Sequence, residues 1–290
     1  MDSAMNQLPP LPCYINGQYT TIDKATISPM DRGFIFGDGV YEVLPFYKGK
    51  PFRLDDHLSR LDSSLAQTRI TNPYSGEQWH TIVSNLLKNT DSDQNYLLYL
   101  QISRGVAIRD HVMPTGLQAT VFAFVQPMAG VPEAIRNLGA SCVSAEDFRW
   151  LRGSIKSTSL LGAVFARQIS ADQGCLETIM FRADTLTEAA ASNVWVVKNG
   201  QVFGPKSDQR VLRGIRYGVI ETICKTCGID FAIRDIARNE VFEADELLLS
   251  SATKEVLAVT NLDGKPVGKG VVGPIYQRLF EQYQMLKNSQ

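Results

Sequence analysis

The sequence predicts a two-part chain of the α/β (α+β) class. Three observations carry this. The chain has 290 residues, more than a single hydrophobic core usually serves. Stretches with the period of strands and stretches with the period of helices are interspersed without strict alternation. The run Pro127-Met128-Ala129-Gly130-Val131-Pro132 has the composition of a linker. The expected division is a smaller N-terminal α/β domain over residues 1–126, a linker over 127–137 and a larger C-terminal domain over 138–290.

Each element has a local cause. Tyr14 to Tyr19 reads as a hairpin, because Asn16-Gly17 supplies the positive φ angles of a tight turn. A helix begins near Asp55, with Leu58, Leu61 and Leu65 on one stripe. Ser75 and Gln78 have capping-box spacing, and Trp79, Ile82, Val83, Leu86 and Leu87 follow at helical intervals. Strands are expected at Tyr96–Ser103 and Ala119–Gln126. Past the linker come a strand at Ala140–Ser144, a helix at Ser159–Asp172 closed by Gly174, and a strand at Glu177–Arg182. Asn193–Lys198 and Gln201–Phe203 form a hairpin around Asn199-Gly200. A helix from Gly214 to Cys227 ends at Gly228, well suited to the left-handed residue after a helix. Strands at Glu246–Ser250 and Val256–Leu262 lead to a turn at Asp263-Gly264, then a helix after Pro274 striped by Ile275, Leu279, Tyr283 and Leu286. Trp79, Phe34, Phe36 and Phe46 read as core.

Composition removes several classes of function. A net charge of -1 with 20% charged residues gives no electrostatic footprint for nucleic acid or an anionic membrane. No apolar run reaches the roughly 20 residues of a membrane span, and Met1–Pro12 lacks the pattern of a signal peptide. The cytoplasm is therefore expected. The five cysteines (Cys13, Cys142, Cys175, Cys224, Cys227) are an odd set that reads as reduced thiols. Cys224 and Cys227 have C-x-x-C spacing, but no second pair or histidine set accompanies them, so they read as two cysteines on a helix and no metal is expected.

Five segments have chemistry in them. Lys156 follows Arg149, Trp150 and Arg152; cations and apolar walls lower a lysine pKa and expose the free amine that a Schiff base needs. Glu188 precedes the small residues Ala189-Ala190-Ala191, either as a surface carboxylate at a strand end or as a partner for a heterocyclic nitrogen in a tight pocket. Leu212-Arg213-Gly214-Ile215-Arg216 stands before a helix, where free N–H groups and the helix dipole favour an anion, and Ser250 to Glu255 offers a second turn of small residues. Arg109 and His111 can together take a carboxylate, although spacing alone favours an exposed polar loop. Asp38, between Gly37 and Gly39, lacks a helix-start context and is not read as a phosphate loop.

Taken together, these segments resemble the fold-type-IV aminotransferases that use pyridoxal 5′-phosphate (PLP), and most closely the bacterial D-amino acid transaminases. The resemblance runs from about Tyr14 to the final helix. It rests on Asp31 to Glu42, His57 to Leu61, Arg104 to His111, Arg149 to Lys156, Leu160-Leu161-Gly162, Thr187-Glu188, Ser192-Asn193-Val194 and Leu212 to Ile215, in that order and spacing. It implies two domains of mixed sheets with flanking helices.

The resemblance also implies roles. Lys156 would hold PLP as a Schiff base and move the proton between substrate Cα and cofactor C4′. Glu188 would keep the pyridine nitrogen protonated. Arg60 would sit on the cofactor phosphate, Leu212 on the ring face, and Ile215, Arg216 and Ala252 around the phosphate. Tyr41, Arg109 and His111 would take the substrate carboxylate, the last two supplied by the second subunit of a homodimer. Because the lysine lies on one side of the cofactor, the side that fixes the carboxylate selects the enantiomer.

Some positions depart from the family pattern. Arg216 stands where a threonine is common, Ala252 where a hydroxyl residue is common, and Ala189-Ala190-Ala191 where serines and glycine are common. Loss of one such contact costs on the order of 1 kcal/mol. The implied reaction is transfer of amino groups between D-amino acids such as D-alanine and 2-oxo acids such as 2-oxoglutarate. Alternatives on the same scaffold are an L-branched-chain or (R)-amine transaminase, an aminodeoxychorismate-type lyase, and a non-catalytic binding protein that kept the fold.

Overall fold

The structure is a computed structural model and describes residues 8–88 and 90–289. Of the segment Met1–Pro12, the first seven residues lie outside the described residues. The chain forms two compact units. One comprises residues 1–129 with 155–160, the other residues 130–154 with 161–290.

The first unit is built on a six-stranded sheet. Its elements are β1 (Pro12–Ile15), β2 (Gln18–Thr21), α1 (Arg32–Phe36), β3 (Gly39–Tyr47), β4 (Lys50–Pro51), α2 (Leu54–Thr68), α3 (Gly76–Leu87), β5 (Tyr96–Ser103) and β6 (Thr120–Pro127), with strand order β2-β1-β6-β5-β3-β4. The β1–β2 turn uses Asn16 (φ 46°) and Gly17 (φ 93°), the left-handed pair that two-residue hairpins require. β5 and β6 alternate buried and half-buried residues, so one face of the sheet meets the core. The Leu58-Leu61-Leu65 stripe of α2 and the Trp79-Ile82-Val83-Leu86 stripe of α3 cover that face. The capping box of Ser75 and Gln78 is formed. Trp79 and Phe46 belong to the core, whereas Phe34 is exposed and Phe36 half-buried. The short α1 precedes Asp38: Asp31 caps its first turn and Gly37 closes it in the left-handed conformation, so Asp38 follows a helix end and starts no helix, as its sequence context predicts.

Residues 155–160 differ from the expected division. The sequence places them in the C-terminal domain, but Ile155 is buried in the core of the first unit. Its neighbours are tied to the start of β3. Tyr41 N–H donates to the Lys156 carbonyl (3.0 Å), Thr158 N–H donates to the Gly39 carbonyl (3.0 Å), and Val40 pairs with Ser157. A Cβ on Gly39 would lie 2.7 Å from the Ile102 carbonyl oxygen and 3.2 Å from Thr158 Oγ1, which is why glycine stands where this strap passes. The next helix therefore begins at Leu161 and not at Ser159, whose hydroxyl donates to the Gly37 carbonyl.

The second unit carries α4 (Glu133–Leu138), β7 (Ala140–Glu146), α5 (Leu161–Asp172), β8 (Glu177–Arg182), β9 (Thr185–Ala189), β10 (Asn193–Lys198) and β11 (Gln201–Gly204). It continues with α6 (Arg216–Cys227), β12 (Phe231–Ile233), α7 (Arg238–Phe242), β13 (Glu246–Ser251), β14 (Glu255–Leu262), β15 (Lys265–Pro266) and α8 (Pro274–Asn288). Its nine-stranded sheet among the described residues has the order β12-β11-β10-β13-β14-β7-β8-β9, with β15 on β14. β8, β10, β13 and β14 are near-continuous buried runs, as strands covered on both faces are. Glu246 accepts from Ile275 N–H and Tyr276 N–H, both at 2.9 Å, and so caps α8 from the neighbouring strand. Cys224 and Cys227 both lie on α6. The described residues contain no helix long and apolar enough to cross a membrane, and no cluster of metal-ligating side chains.

Candidate active site

In the first unit, β3 and α2 position Lys156. Its backbone N–H donates to Ser64 Oγ of α2 at 3.4 Å, and its carbonyl accepts from Tyr41. Its Nζ lies 4.0 Å from the centroid of the Tyr41 ring, which stacks on Tyr99 at 5.7 Å. The amine thus rests on a wall of aromatic rings. Of the two cations that lie near it in sequence, Arg149 and Arg152, the first pairs with the carboxylates of Asp147 and Glu188 in the second unit. Lys156 is half-buried, between a solvated surface lysine and a core residue.

One residue beyond Tyr41, Glu42 points to the other face of β3 and is 1% exposed. Arg60 holds it bidentately, Nε to Oε1 and Nη2 to Oε2 at 2.8 Å each, and His57 Nδ1 lies 2.7 Å from Oε2. Burial opposes the Glu42 charge, but the Arg60 charge and these hydrogen bonds outweigh it and hold the carboxyl well below the usual carboxylate range. Arg60, expected on a phosphate, is thus fixed by a buried carboxylate one turn from His57 on α2. A bidentate pair of this kind aims a guanidinium and removes most of its rotamer freedom.

Arg109 and His111 lie in the exposed loop between β5 and β6. They converge on one ring: Arg109 Cζ is 5.3 Å from the Phe36 centroid, and the His111 and Phe36 centroids are 5.3 Å apart. The Phe36 ring of α1 is thus shared by the two groups that the sequence pairs.

In the second unit, Glu188 lies in β9 and is 6% exposed. Arg149 Nη1 donates to Oε1 at 2.6 Å, and Asn193 Nδ2 donates to Oε2 at 3.2 Å. The Glu188 pKa is pushed up to about 7, because burial outweighs the opposing charge of Arg149 and the nearby Asp147 adds repulsion. A carboxyl at that value can share a proton with a heterocyclic base near neutral pH. Glu188 is therefore a buried carboxyl and not a surface one. Ala189 and Ala190 are themselves buried beside it, whereas Ala191 is exposed.

Asn193 also donates Nδ2 to the Leu212 carbonyl at 2.9 Å, tying Glu188 to the loop before α6. A Cβ on Gly214 would lie 2.1 Å from Asn193 Oδ1, so a side chain at this loop position would have to displace the Asn193 amide. Leu212 and Ile215 are half-buried, and Arg216, the first residue of α6, is 2% exposed. No side chain caps α6. In the turn between β13 and β14, Ser251 Oγ accepts from Lys254 N–H (3.0 Å), and Ala252 is half-buried. Lys254 Nζ donates to the buried Glu177 at 3.0 Å, fixing the turn. Arg149, with its guanidinium on Glu188, and Asn193, which joins Glu188 to Leu212, are partners of Glu188 that spacing could not assign.

Lys156 is thus a half-buried amine on an aromatic face in the first unit, and Glu188 a buried carboxyl of raised pKa in the second. The chain belongs to the class IV amino-transferase family, whose model matches residues 39–262. It is 35% identical over 271 residues to the D-alanine aminotransferase of Staphylococcus haemolyticus, covering 93% of this chain and 95% of that one. It is 36% identical over 274 residues to the D-alanine aminotransferase of Listeria innocua, covering 93% of each. Among solved structures it is similar to the T.th. branched-chain amino acid aminotransferase with pyridoxamine 5′-phosphate, at TM-score 0.91 and 20% identity over 98% of this chain and 96% of that one. The branched-chain amino acid aminotransferase of Escherichia coli gives TM-score 0.86 and 21% identity over 96% and 94%. At such identities the structural likeness bears on the fold, which is fold type IV, and not on the substrate.

Proposed function

We propose that this chain is a PLP-dependent transaminase that exchanges amino groups between D-amino acids, such as D-alanine, and 2-oxo acids, such as 2-oxoglutarate, in a ping-pong cycle. The observation that carries the reading is the convergence of Arg109 and His111 on the Phe36 ring. A guanidinium and an imidazole held together make a carboxylate clamp. The D-alanine aminotransferases among its relatives support the choice of enantiomer.

The residues present fit the cofactor. Lys156 offers an amine packed on Tyr41, Glu188 a buried carboxyl able to share a proton with a ring nitrogen, and α6 a helix start without a side-chain cap. When bound, PLP supplies an aldehyde that joins the substrate amine and a ring that accepts electrons from Cα. Lys156 Nζ anchors the cofactor and carries the proton between substrate Cα and C4′. Glu188 holds the proton on the pyridine nitrogen, and Arg149 orients Glu188. Arg60, aimed by Glu42, and the N–H groups of Ile215, Arg216 and Ala252 bind the phosphate, while Leu212 covers the ring. Tyr41, Arg109 and His111 bind the substrate carboxylate and so choose the enantiomer whose Cα–H meets the lysine.

In this reading Arg109 and His111 serve the site of a second copy, so the working enzyme is a homodimer. Exposed apolar side chains support this: Phe34, Ile108 and Val112 in the first unit, Leu161, Val164 and Phe165 in the second. The proposed location is the cytoplasm, in keeping with five free thiols.

The test is a panel of D- and L-amino acids with pyruvate or 2-oxoglutarate as acceptor. Turnover of D-alanine with 2-oxoglutarate is expected, with L-leucine and L-valine poor donors. Preference for the L-branched-chain donors would replace this reading with the branched-chain one.

A further inference from the structure

Gly37-Asp38-Gly39 has no place in the cofactor chemistry above, yet its carboxylate is the hub of a buried network in the first unit. Asp38 Oδ2 accepts from Arg32 Nε and from Arg104 Nε, each at 2.8 Å, and Oδ1 accepts from Arg104 Nη2 at 2.9 Å. The side chains of both arginines are nearly inaccessible, at 4% and 6%. Burial resists the Asp38 charge, but the two guanidinium groups overcome it and keep the carboxyl below its ordinary value. Each arginine then reaches a different backbone. Arg104 donates to the carbonyls of Arg69 (3.0 Å) and Thr68 (2.7 Å) at the end of α2. Arg32 Nη1 donates to the carbonyl of Asp110 at 2.6 Å.

Asp110 is the residue between Arg109 and His111. The near end of the loop is pinned separately: Arg32 N–H donates to the Gly105 carbonyl (2.9 Å) and Arg104 N–H to the Asp38 carbonyl (3.0 Å). The middle of the loop, at the exposed Asp110, is held by Arg32 Nη1. The same guanidinium lies 4.8 Å from the Phe36 centroid, the ring that Arg109 and His111 share. Carboxylate, guanidinium, carbonyl and ring thus form one continuous support beneath the two exposed groups.

We propose that Asp38 and Arg32 are positioning residues for the Arg109–His111 loop: Asp38 aligns the Arg32 guanidinium, and Arg32 sets the height and direction of the Asp110 peptide from which both groups project. This rests on the reading of Arg109 and His111 as the carboxylate clamp. Neither Asp38 nor Arg32 touches the substrate in this arrangement. Their effect is on how well a carboxylate finds its two donors.

The experiment compares Arg32→Lys, Asp38→Asn and Arg109→Ala holoenzymes by steady-state kinetics, cofactor absorbance and hydrogen exchange of backbone amides. Arg32→Lys keeps the charge facing Asp38 but loses the planar fork; it decides the matter if Asp38→Asn, which strands two buried arginines, fails to fold. The expected result is faster exchange confined to residues 106–113 and a rise in KM for D-alanine of about tenfold with kcat and the absorbance band little changed. Exchange in that segment equal to wild type in folded Arg32→Lys overturns the proposal, as does a loss spread evenly over the first unit. Arg109→Ala keeps the two questions apart. If it leaves KM unchanged, the clamp reading fails, while the exchange data still decide whether Arg32 holds the loop.

Discussion

Arg149 and Glu188 form a buried ion pair, Nη1 to Oε1 at 2.6 Å, and the same guanidinium grips Asp147 through Nε (2.9 Å) and Nη2 (3.0 Å). One cation thus stands between two buried carboxyls. They part company in their titration. Burial raises both, but Arg149 hydrogen bonds and charge outweigh it at Asp147, which stays below its ordinary value, while Glu188 rises to about 7.

That rise has a sign in stability. A carboxyl whose pKa is higher folded than unfolded stabilises the fold below its unfolded value, here 4.5, and loses that contribution as pH climbs through about 7. For the cofactor-free protein, Glu188→Gln should therefore flatten the fall in unfolding free energy between pH 5 and pH 8 by roughly 3 kcal/mol relative to wild type. Urea denaturation at the two pH values measures this, and parallel curves for both proteins would contradict the raised pKa.

Lys156→Ala should abolish turnover and the visible absorbance of the PLP-loaded protein together, because one amine both anchors the cofactor and carries the proton. The loss in kcat should exceed roughly a thousandfold, in keeping with removal of a covalent and acid–base group. Substantial activity in the purified variant would remove Lys156 from both roles.

Arg109→Ala should raise KM for D-alanine and for 2-oxoglutarate by about tenfold or more, the value of one charge-assisted contact. The Kd for PLP, followed by absorbance, should stay within about twofold of wild type. Arg109 is exposed and hydrogen-bonded into no core, so stability should also be unchanged to about 0.5 kcal/mol. Equal losses in substrate and cofactor affinity would mean a structural role.

Gly214→Ala should weaken PLP binding without touching the substrate clamp. The new methyl group must displace Asn193, whose amide joins Glu188 to the Leu212 carbonyl. Overpacking of this kind costs about 1–3 kcal/mol, a rise of about fivefold to 150-fold in the Kd for PLP if the loop bears it. An unchanged Kd would show that the loop does not hold the phosphate.

Much of the fold is legible in the sequence because the local signals are strong. Asn16-Gly17, Asn199-Gly200 and Asp263-Gly264 all adopt positive φ in their turns, Gly228 closes α6 in the left-handed region, and strands such as Glu177–Arg182 begin and end where their pattern does. What escaped depends on distance along the chain. β3 carries Pro45 and lacks strict alternation, yet it pairs along its length with β5. Ile155 looks like any apolar residue in a polar loop until the first unit buries it. At the site, residue types were readable and partners were not. Arg149 sits seven positions before Lys156, so sequence assigns it to the lysine, whereas its guanidinium meets a carboxylate 39 residues away. Arg32 and Asp38 are near in sequence, but the carbonyl that gives their pair a purpose is 78 residues on.

The strap at residues 155–160 has a consequence for biosynthesis. The chain leaves the first unit at residue 129, returns to it for six residues, and leaves again at 160. A nascent polypeptide that has emerged only as far as the linker lacks Ile155 and the backbone partners of Gly39 and Tyr41. Completion of the early half must therefore wait for a stretch translated after β7 has already been made, so the two halves mature in overlap and not in succession.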